Sequence, residues 1–332
     1  MSKLGTFIAC AGLLACAGLF AGCAGPPAGP EPAKPPAATA TATAETRAGA
    51  PGAAPIDPAK VEAATGLKPE VSDGVAKVSS PRTEKVEVDG WAMPPFMGLT
   101  SWAAFTPGEK PGVEAMVMGD LVLFEDEVSD AMSAALGGGL AVTALHNHFF
   151  HDNPRVMFMH IEGEGSVDAL GKGVRAALDA VKAVRARSAK PQDRYGNAPL
   201  PAKSAIDAAK VEAAFGVKPA AKDGMAKVVI GRPATQAACG CKIGKTMGVN
   251  TWAAFAGTDA DAVVDGDFAV TEDELQPVLK SLRASGIHVV AIHHHMVGEE
   301  PRTLFLHYWG RGPVEALAGQ VKKALALTKT SG

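Results

Sequence analysis

The sequence contains the same unit twice, and this duplication constrains the fold more than any other feature. Residues 56–78 match residues 206–228 at an offset of 150, with 16 of 23 positions identical. The match resumes at the Trp-Ala-Ala-Phe segments that begin at Trp102 and Trp252, and it continues at an offset of 147 from Gly119-Asp120 onward. Two related units in tandem predict two copies of one fold, packed as a pseudo-dimer.

Each copy is predicted to be an α+β domain. The copies span residues 56–188 and 205–330, and a Pro-containing linker at 189–204 joins them. In the first copy, a short helix behind Asp57 is followed by short β-like runs, a helix that begins at the acidic residues 125–127, two more strands and a closing helix. This order is typical of an antiparallel sheet with helices on one face.

The N-terminal region predicts export and a lipid anchor. An apolar run too short for a comfortable membrane span follows a positive residue, and Leu19-Phe20-Ala21-Gly22 before Cys23 resembles a bacterial lipobox. Residues 1–23 are therefore interpreted as a lipoprotein signal peptide, and an ordinary cleaved signal is the alternative. Residues 24–55, rich in Ala, Pro and Thr, predict a disordered tether. Because the residue after Cys23 is not Asp, the Gram-negative sorting rule implies an outer-membrane location facing the periplasm.

The charge balance argues against a nucleic-acid partner. The chain has 32 Lys and Arg residues against 35 Asp and Glu residues, for a net charge of -3. A protein that binds a polyanion usually carries a basic patch and a high isoelectric point, whereas this one is near 6.3. The expected partner is the membrane, through the lipid anchor, and the sequence identifies no protein partner.

The histidines predict a metal site in each copy. All nine fall within residues 146–160 and 288–307, and both copies share a frame of His-x-His, a Pro-Arg turn and Phe-x-His. Residues two apart on a strand share a face, so each His-x-His pair is expected to point together. A hairpin folded about the turn would set the first and third His opposite each other, close enough to share an ion. The six candidate ligands are His146, His148 and His160 in the first copy and His293, His295 and His307 in the second.

Three imidazoles with an open fourth position are typical of a catalytic or exchangeable zinc site, and imidazole also suits copper. Glu299 in the second copy, and Asp152 in the first, are candidates for a carboxylate ligand or a general base. Arg302 is a candidate for binding an anionic substrate group. Alternatively, Arg302 and its counterpart Arg155 pin the turn by bonding backbone carbonyls or the nearby aspartates. Histidines that only stabilise the sheet are the structural alternative.

One copy contains a pair of cysteines that the other lacks. Cys239-Gly240-Cys241 has Asp89 and Trp91 at the corresponding positions of the first copy. In an oxidising compartment this spacing is compatible with a disulfide, a soft-metal site or two free thiols.

The segment from Gly286 to Gly310 resembles the LppY/LpqO family of bacterial exported proteins. The residues that carry the resemblance are His293-His294-His295, Glu299-Glu300-Pro301-Arg302 and His307-Tyr308-Trp309-Gly310, together with the Trp-Ala-Ala-Phe and Gly-Asp segments of both copies. The resemblance implies a secreted or lipoprotein-like protein with no established activity. It therefore supports export and the duplication and supplies no mechanism. The first copy departs from the pattern by having Asn147 in place of His294.

Three functions remain open at this point. The first is an envelope lipoprotein that binds zinc or copper. The second is a metal-dependent hydrolase in which Glu299 takes a proton from water and Arg302 holds an anionic substrate. The third is a structural or interaction protein without metal. An open coordination position beside a cleft distinguishes the first two, and convergence of the imidazoles separates both from the third.

Overall fold

The structure, a computed structural model, describes residues 54–330. The predicted signal peptide, the predicted lipidation site Cys23 and nearly all of the predicted tether lie outside the described residues. Within them, no helix is long and apolar enough to cross a membrane.

The first copy has the predicted order of elements, with four short additions. Asp57 accepts a hydrogen bond from the backbone N–H of Ala59 at 2.9 Å and caps the first helix, which Gly66 ends in a left-handed conformation. The additions are three short strands and a 3₁₀ turn at Pro95–Met97. The elements are α1 (Pro58–Thr65), β1 (Glu70–Ser72), β2 (Val75–Pro81), β3 (Val86–Val88), β4 (Trp91–Met93), β5 (Thr100–Pro107), β6 (Ala115–Phe124), α2 (Glu125–Gly137), β7 (Ala141–His146), β8 (Asp152–Asn153), β9 (Val156–Gly165) and α3 (Val167–Arg187).

The second copy repeats this order except for β8, whose place is taken by a single bridge between Gln236 and Glu300. Its central helix begins with a capping box, in which the Glu274 carboxylate accepts a hydrogen bond from the backbone N–H of Thr271 at 2.9 Å. The elements are α4 (Ala208–Phe215), β10 (Ala220–Lys222), β11 (Met225–Gly231), β12 (Thr235–Gln236), β13 (Lys242–Ile243), β14 (Asn250–Gly257), β15 (Ala262–Thr271), α5 (Glu272–Ala284), β16 (His288–His294), β17 (Thr303–Gly312) and α6 (Val314–Leu325).

The two copies share one antiparallel sheet of 12 strands. The strand order is β1-β2-β5-β6-β9-β7-β16-β17-β15-β14-β11-β10, so each copy supplies six strands in mirrored order. The copies meet where β7 lies beside β16, with Leu145 paired to Ile292. The α5 side chain of Gln276 extends this contact by bonding both the N–H and the carbonyl of Val142, at 3.0 and 2.9 Å. The predicted α+β pseudo-dimer is confirmed, and its seam is a strand pairing.

The helices of both copies cover one face of this sheet. A single apolar core joins helix residues such as Val128 and Leu279 to strand residues such as Leu145 and Ile292 from both copies. The opposite face carries two smaller apolar clusters, one under β3 and β4 and one under β12 and β13. The candidate histidines lie on this second face.

Candidate metal centre

The alternation of side chains along the strands places the candidate histidines on the face opposite the helices. His146 follows Leu145, and His160 lies between Met159 and Ile161; all three apolar side chains pack in the core beneath the helices. Because neighbouring residues on a strand point to opposite faces, both imidazoles point away from that core. The equivalent residues place the histidines of the second copy on the same face.

The first copy brings its three candidate imidazoles together around His146. The Nε2 atoms of His146 and His160 are 3.0 Å apart. The His148 ring lies 5.2 Å from the His146 ring and stacks on Phe158, with centroids 3.5 Å apart. His146 is therefore the middle member of the cluster.

The second copy forms the same cluster around His293. The Nε2 atoms of His293 and His295 are 3.1 Å apart, and the His307 ring lies 4.8 Å from the His293 ring. His295 stacks on Phe305, with centroids 3.5 Å apart. The closest pair of nitrogens differs between the copies, but the first His of the frame is central in both.

The predicted strand register is wrong by two residues, although the imidazoles still meet. His146 lies opposite Phe158 instead of His160, and the second copy shows the same shift. In the first copy the reason is that Asp152–Asn153 pair with β3 instead of closing a tight hairpin between β7 and β9. His146 and His160 therefore meet on the diagonal, a separation that long side chains can span.

The facing nitrogens fit a chelating pair. Two imidazoles that bind one zinc ion at about 2.0–2.1 Å place their nitrogens about 2.9 Å apart at a right angle and about 3.4 Å apart at a tetrahedral angle. The observed separations of 3.0 and 3.1 Å lie within that span. The same distances suit a hydrogen bond between two neutral imidazoles, so each pair is satisfied with or without an ion.

The third imidazole of each cluster stacks beside the pair and does not point at the same spot. Within residues 54–330, no group of three or more His, Cys, Asp or Glu side chains meets the distances needed to hold a metal ion as the side chains are placed. Each cluster therefore presents two convergent nitrogens and a third imidazole whose ring lies about 5 Å from the central ring.

The environment favours neutral imidazoles. Burial lowers the pKa of His293 to about 4, and repulsion from His307 and His295 adds to this. Burial also lowers the pKa of His148 and of His295. Because the neutral imidazole is the form that binds a metal, these groups do not have to release a proton near pH 7 before they bind.

A buried aspartate stands beside the third histidine of each copy. Asp120 pairs with His160 across β6 and β9, and Asp267 pairs with His307 across β15 and β17. The His307 Nδ1 atom is 4.0 Å from Asp267 Oδ1. Among the described residues, Oδ1 of either aspartate has no hydrogen-bond partner. Burial raises the pKa of Asp267 to about 6, while His307 acts in the opposite direction.

These aspartates are placed to orient a ligating histidine. Ligating imidazoles commonly donate their second N–H to a carboxylate, which holds the ring and raises its basicity. A small rotation of His307 would bring its Nδ1–H to the unpartnered Asp267 oxygen. Sequence reasoning considered the aspartates only as partners of the turn arginines; the repeated Gly-Asp segment was the available signal.

Glu299 and Asp152 hold the turn between the strands. Glu299 is 5% exposed and accepts a hydrogen bond from the Thr303 N–H at 2.8 Å; Asp152 accepts one from the Val156 N–H at 2.6 Å. Burial acts to raise the pKa of Glu299, but the bond from Thr303 and the charge of Arg302 outweigh it and leave that pKa below its usual range. A carboxylate in this environment is a weak general base.

Arg155 and Arg302 lie at the surface. The Arg302 side chain is 57% exposed, and its Nε atom is 3.9 Å from Glu272 at the start of α5. Arg155 makes the equivalent loose contact with Glu125 at the start of α2. The expectation that these arginines bond Asp120 or Asp267 is therefore wrong, because they point toward the helix N-termini instead.

Comparison with known proteins identifies the family of both copies. A family model described as Domain of Unknown Function (DUF1259) matches residues 59–180 and again residues 209–327. The chain belongs to this family. The two DUF1259 matches coincide with the two copies inferred from the repeat, and the family description assigns no activity. No curated protein matches the sequence significantly.

Two solved structures show a weak likeness to the DUF1259 pair. One is a trimeric bacterial microcompartment shell protein, PduB, with 13% identity, coverage of 79% of this chain and 95% of that chain, and a TM-score of 0.18. The other is a double-ringed trimeric shell protein from the RMM microcompartment, with 11% identity, coverage of 76% and 93%, and a TM-score of 0.18. At these TM-scores the likeness carries no structural conclusion.

The tryptophan of the Trp-Ala-Ala-Phe segment in each DUF1259 copy lies on the histidine face. The sequence predicts that Trp102, Phe105, Trp252 and Phe255 fill the core, and both phenylalanines are fully buried there. For the tryptophans the structure differs, because both are half-buried and each lies opposite the aspartate of its copy. Lys77 and Lys227 stack on the two rings at 4.5 and 3.9 Å. The expectation is wrong because these tryptophans alternate with the residues that face the helices.

The remaining histidines take no part in the clusters. His151 is exposed at the turn, and His294 is exposed at the end of β16. His288 bonds Ser129 Oγ at 2.7 Å and stacks on Tyr195. A cavity of about 400 Å³ between α2, the linker and β16 is lined by His288, Ser129 and Tyr195, and none of the clustered histidines lines it.

Proposed function

We propose that this chain is an exported envelope lipoprotein that binds a transition metal, zinc or copper, on the histidine cluster of each copy. The observation that carries the proposal is the pair of facing Nε2 atoms, 3.0 Å apart in the first copy and 3.1 Å apart in the second. Two neutral imidazoles that face each other at this distance can bind one ion between them, and a shared ion stabilises that arrangement.

The surroundings of the clusters support the same proposal. Burial lowers the pKa of His293 to about 4, a third imidazole stands within about 5 Å of each central ring, and a buried carboxylate lies behind His307. Imidazole nitrogens without a thiolate suit zinc and copper(II) equally, so the donor set supports both metals.

The structure supports metal binding over hydrolysis. A hydrolase needs a general base beside the metal and a group that holds the substrate. Glu299 is engaged with the Thr303 N–H, and Arg302 is exposed and directed at Glu272. The cavity of about 400 Å³ is lined by His288 and not by the clusters. Carriage or storage of the ion is therefore the better-supported role.

Two sequence features support export to the envelope. The first is the lipobox-like segment that ends at Cys23. The second is the resemblance to the LppY/LpqO family, a finer assignment than the DUF1259 match. A lipid on Cys23 followed by a tether of about 30 residues would hold both clusters near the membrane surface.

Elemental mass spectrometry tests the proposal. The protein, purified without a polyhistidine tag, is expected to carry about two equivalents of zinc or copper per chain after incubation with either metal and removal of the excess. His294→Ala is the matched control, because this residue neighbours His293 on the strand but points to the other face. It should keep both equivalents. Metal below one-tenth of an equivalent, with no rise in melting temperature on adding zinc or copper, would instead support histidines that only stabilise the sheet.

A further inference from the structure

The second copy carries two cysteines at the tip of a hairpin. Cys239 and Cys241 are both exposed and are the free cysteines of the described residues. They lie in the turn between β12 and β13, a position that a molecule in solution can reach. The metal proposal above does not use them.

The turn places the two sulfur atoms side by side. Their separation is 2.6 Å, and a disulfide bond is about 2.0 Å long. The turn is closed by hydrogen bonds from Gly240 N–H to the Ala237 carbonyl at 2.8 Å and from Ala237 N–H to the Cys241 carbonyl at 2.9 Å. Joining the sulfurs therefore requires a small movement of two side chains and leaves the backbone in place.

The corresponding turn of the first copy has no thiols and a different conformation. Asp89 and Gly90 join β3 and β4 with φ angles of +51° and +77°, whereas in the cysteine turn only Gly240 is left-handed, with a φ of +81°. Glycine adopts this left-handed conformation without the cost of a Cβ atom. The thiols and the turn that brings them together are therefore features of the second copy.

We propose that Cys239 and Cys241 form a reversible dithiol–disulfide pair that exchanges with disulfides of small thiols or of other proteins. The Cys239 thiolate attacks a disulfide R–S–S–R′, forms the mixed disulfide and releases R′S⁻, which takes up a proton. The Cys241 thiolate then attacks the Cys239 sulfur and releases RS⁻, which is protonated in turn. The cysteine pair loses two electrons and two protons, and the substrate gains them as two thiols.

The two thiols differ in pKa, and the two steps use this difference. Hydrogen bonding with Cys241 lowers the pKa of Cys239, and the same contact raises the pKa of Cys241. Both thiols are exposed. Cys239 is the more acidic and is therefore the attacking thiol, because the thiolate is the nucleophile. Cys241 is the resolving thiol.

The pair is attached to the histidine hairpin of its own copy. Gln236 in β12 exchanges two backbone hydrogen bonds with Glu300, each 2.9 Å long. The cysteine hairpin is therefore hydrogen-bonded to the turn between β16 and β17, the two strands of the second histidine cluster, whereas the first cluster has no thiol at the corresponding turn.

Peptide mapping of the full-length protein in mild detergent tests the proposal. Trypsin releases residues 228–242, which contain Cys239 and Cys241 and none of the other cysteines. After incubation with oxidised glutathione, this peptide is expected to lose the mass of two hydrogen atoms, and dithiothreitol should restore it. Cys241→Ser should instead accumulate the mixed disulfide with glutathione, with a lifetime at least about ten times that of the wild-type intermediate.

The matched variant Cys239→Ser should also accumulate the mixed disulfide, because it too lacks the second thiol that resolves it. The proposal would be overturned if both wild-type thiols stay open to alkylation at every glutathione ratio. Stable double glutathionylation, or disulfides that form only between two chains, would also overturn it.

Discussion

The variant His146→Ala/His293→Ala is expected to lose both equivalents of bound metal. Each residue is the central member of its cluster, with its ring within about 5 Å of both partner rings. Loss of a group that only orients a ligand weakens metal binding by about 10- to 100-fold, so loss of a central ligand should weaken it by more than about 100-fold. Isothermal titration with zinc, in parallel with copper, measures the effect.

The single variants separate the two sites. His146→Ala and His293→Ala should each remove one equivalent and leave the other site unchanged, because each cluster lies within one copy. His294→Ala serves as the control with unchanged titration. If the single variant His293→Ala lost both equivalents, the copies would share one site, and a loss of neither would show that these nitrogens do not bind the metal.

Glu127→Ala is expected to destabilise the fold by about 3–5 kcal/mol, the cost of breaking a buried ion pair from one side. The Glu127 carboxylate is fully buried and forms two bonds with Arg82, at 2.7 and 2.9 Å. Arg185 contacts the same carboxylate at 2.8 Å. Removing Glu127 therefore takes from Arg82 and Arg185 the buried carboxylate that they share, and leaves them the more exposed Glu84 and Asp126. The loss in the free energy of unfolding is measured by urea denaturation, as the shift in the midpoint multiplied by the dependence of that free energy on urea concentration.

The second copy provides the comparison for this prediction. Glu274 occupies the equivalent position but contacts one arginine, Arg232, at 2.7 Å. Because Arg232 keeps no carboxylate partner among the described residues, whereas Arg82 keeps Glu84 and Arg185 keeps Asp126, Glu274→Ala should cost at least as much as Glu127→Ala. A loss below about 1 kcal/mol for Glu127→Ala would mean that the arginines reach solvent and that the pair does not anchor the start of α2.

Much of the fold can be predicted from the repeat and from the side-chain pattern. The caps at Asp57 and Thr271 mark helix starts that the structure shows, and alternation along the strands places His146 and His148 on one face. These features depend on residues close in sequence, so local rules suffice. The pairing of β7 with β16 could not be predicted, because it depends on which strand edge remains free after each copy has folded.

The candidate site could also be predicted only in part from the sequence. The six histidines follow from spacing and cluster as expected, but their register does not, because β8 leaves the hairpin of the first copy to pair with β3. The position of Asp120 beside His160 depends on the pairing of β6 with β9, strands separated along the chain by a helix and two further strands. A single sequence carries no signal for that contact beyond the repeated Gly-Asp segment.

Anomalous diffraction from crystals soaked in zinc, recorded on both sides of the zinc absorption edge, tests the metal-binding proposal most directly. Two peaks per chain are expected, one between the facing nitrogens of His146 and His160 and one between those of His293 and His295. His160 and His307 should approach their aspartates when the ion is bound. Zinc peaks at other residues only, with no zinc bound at either histidine cluster, would contradict the account.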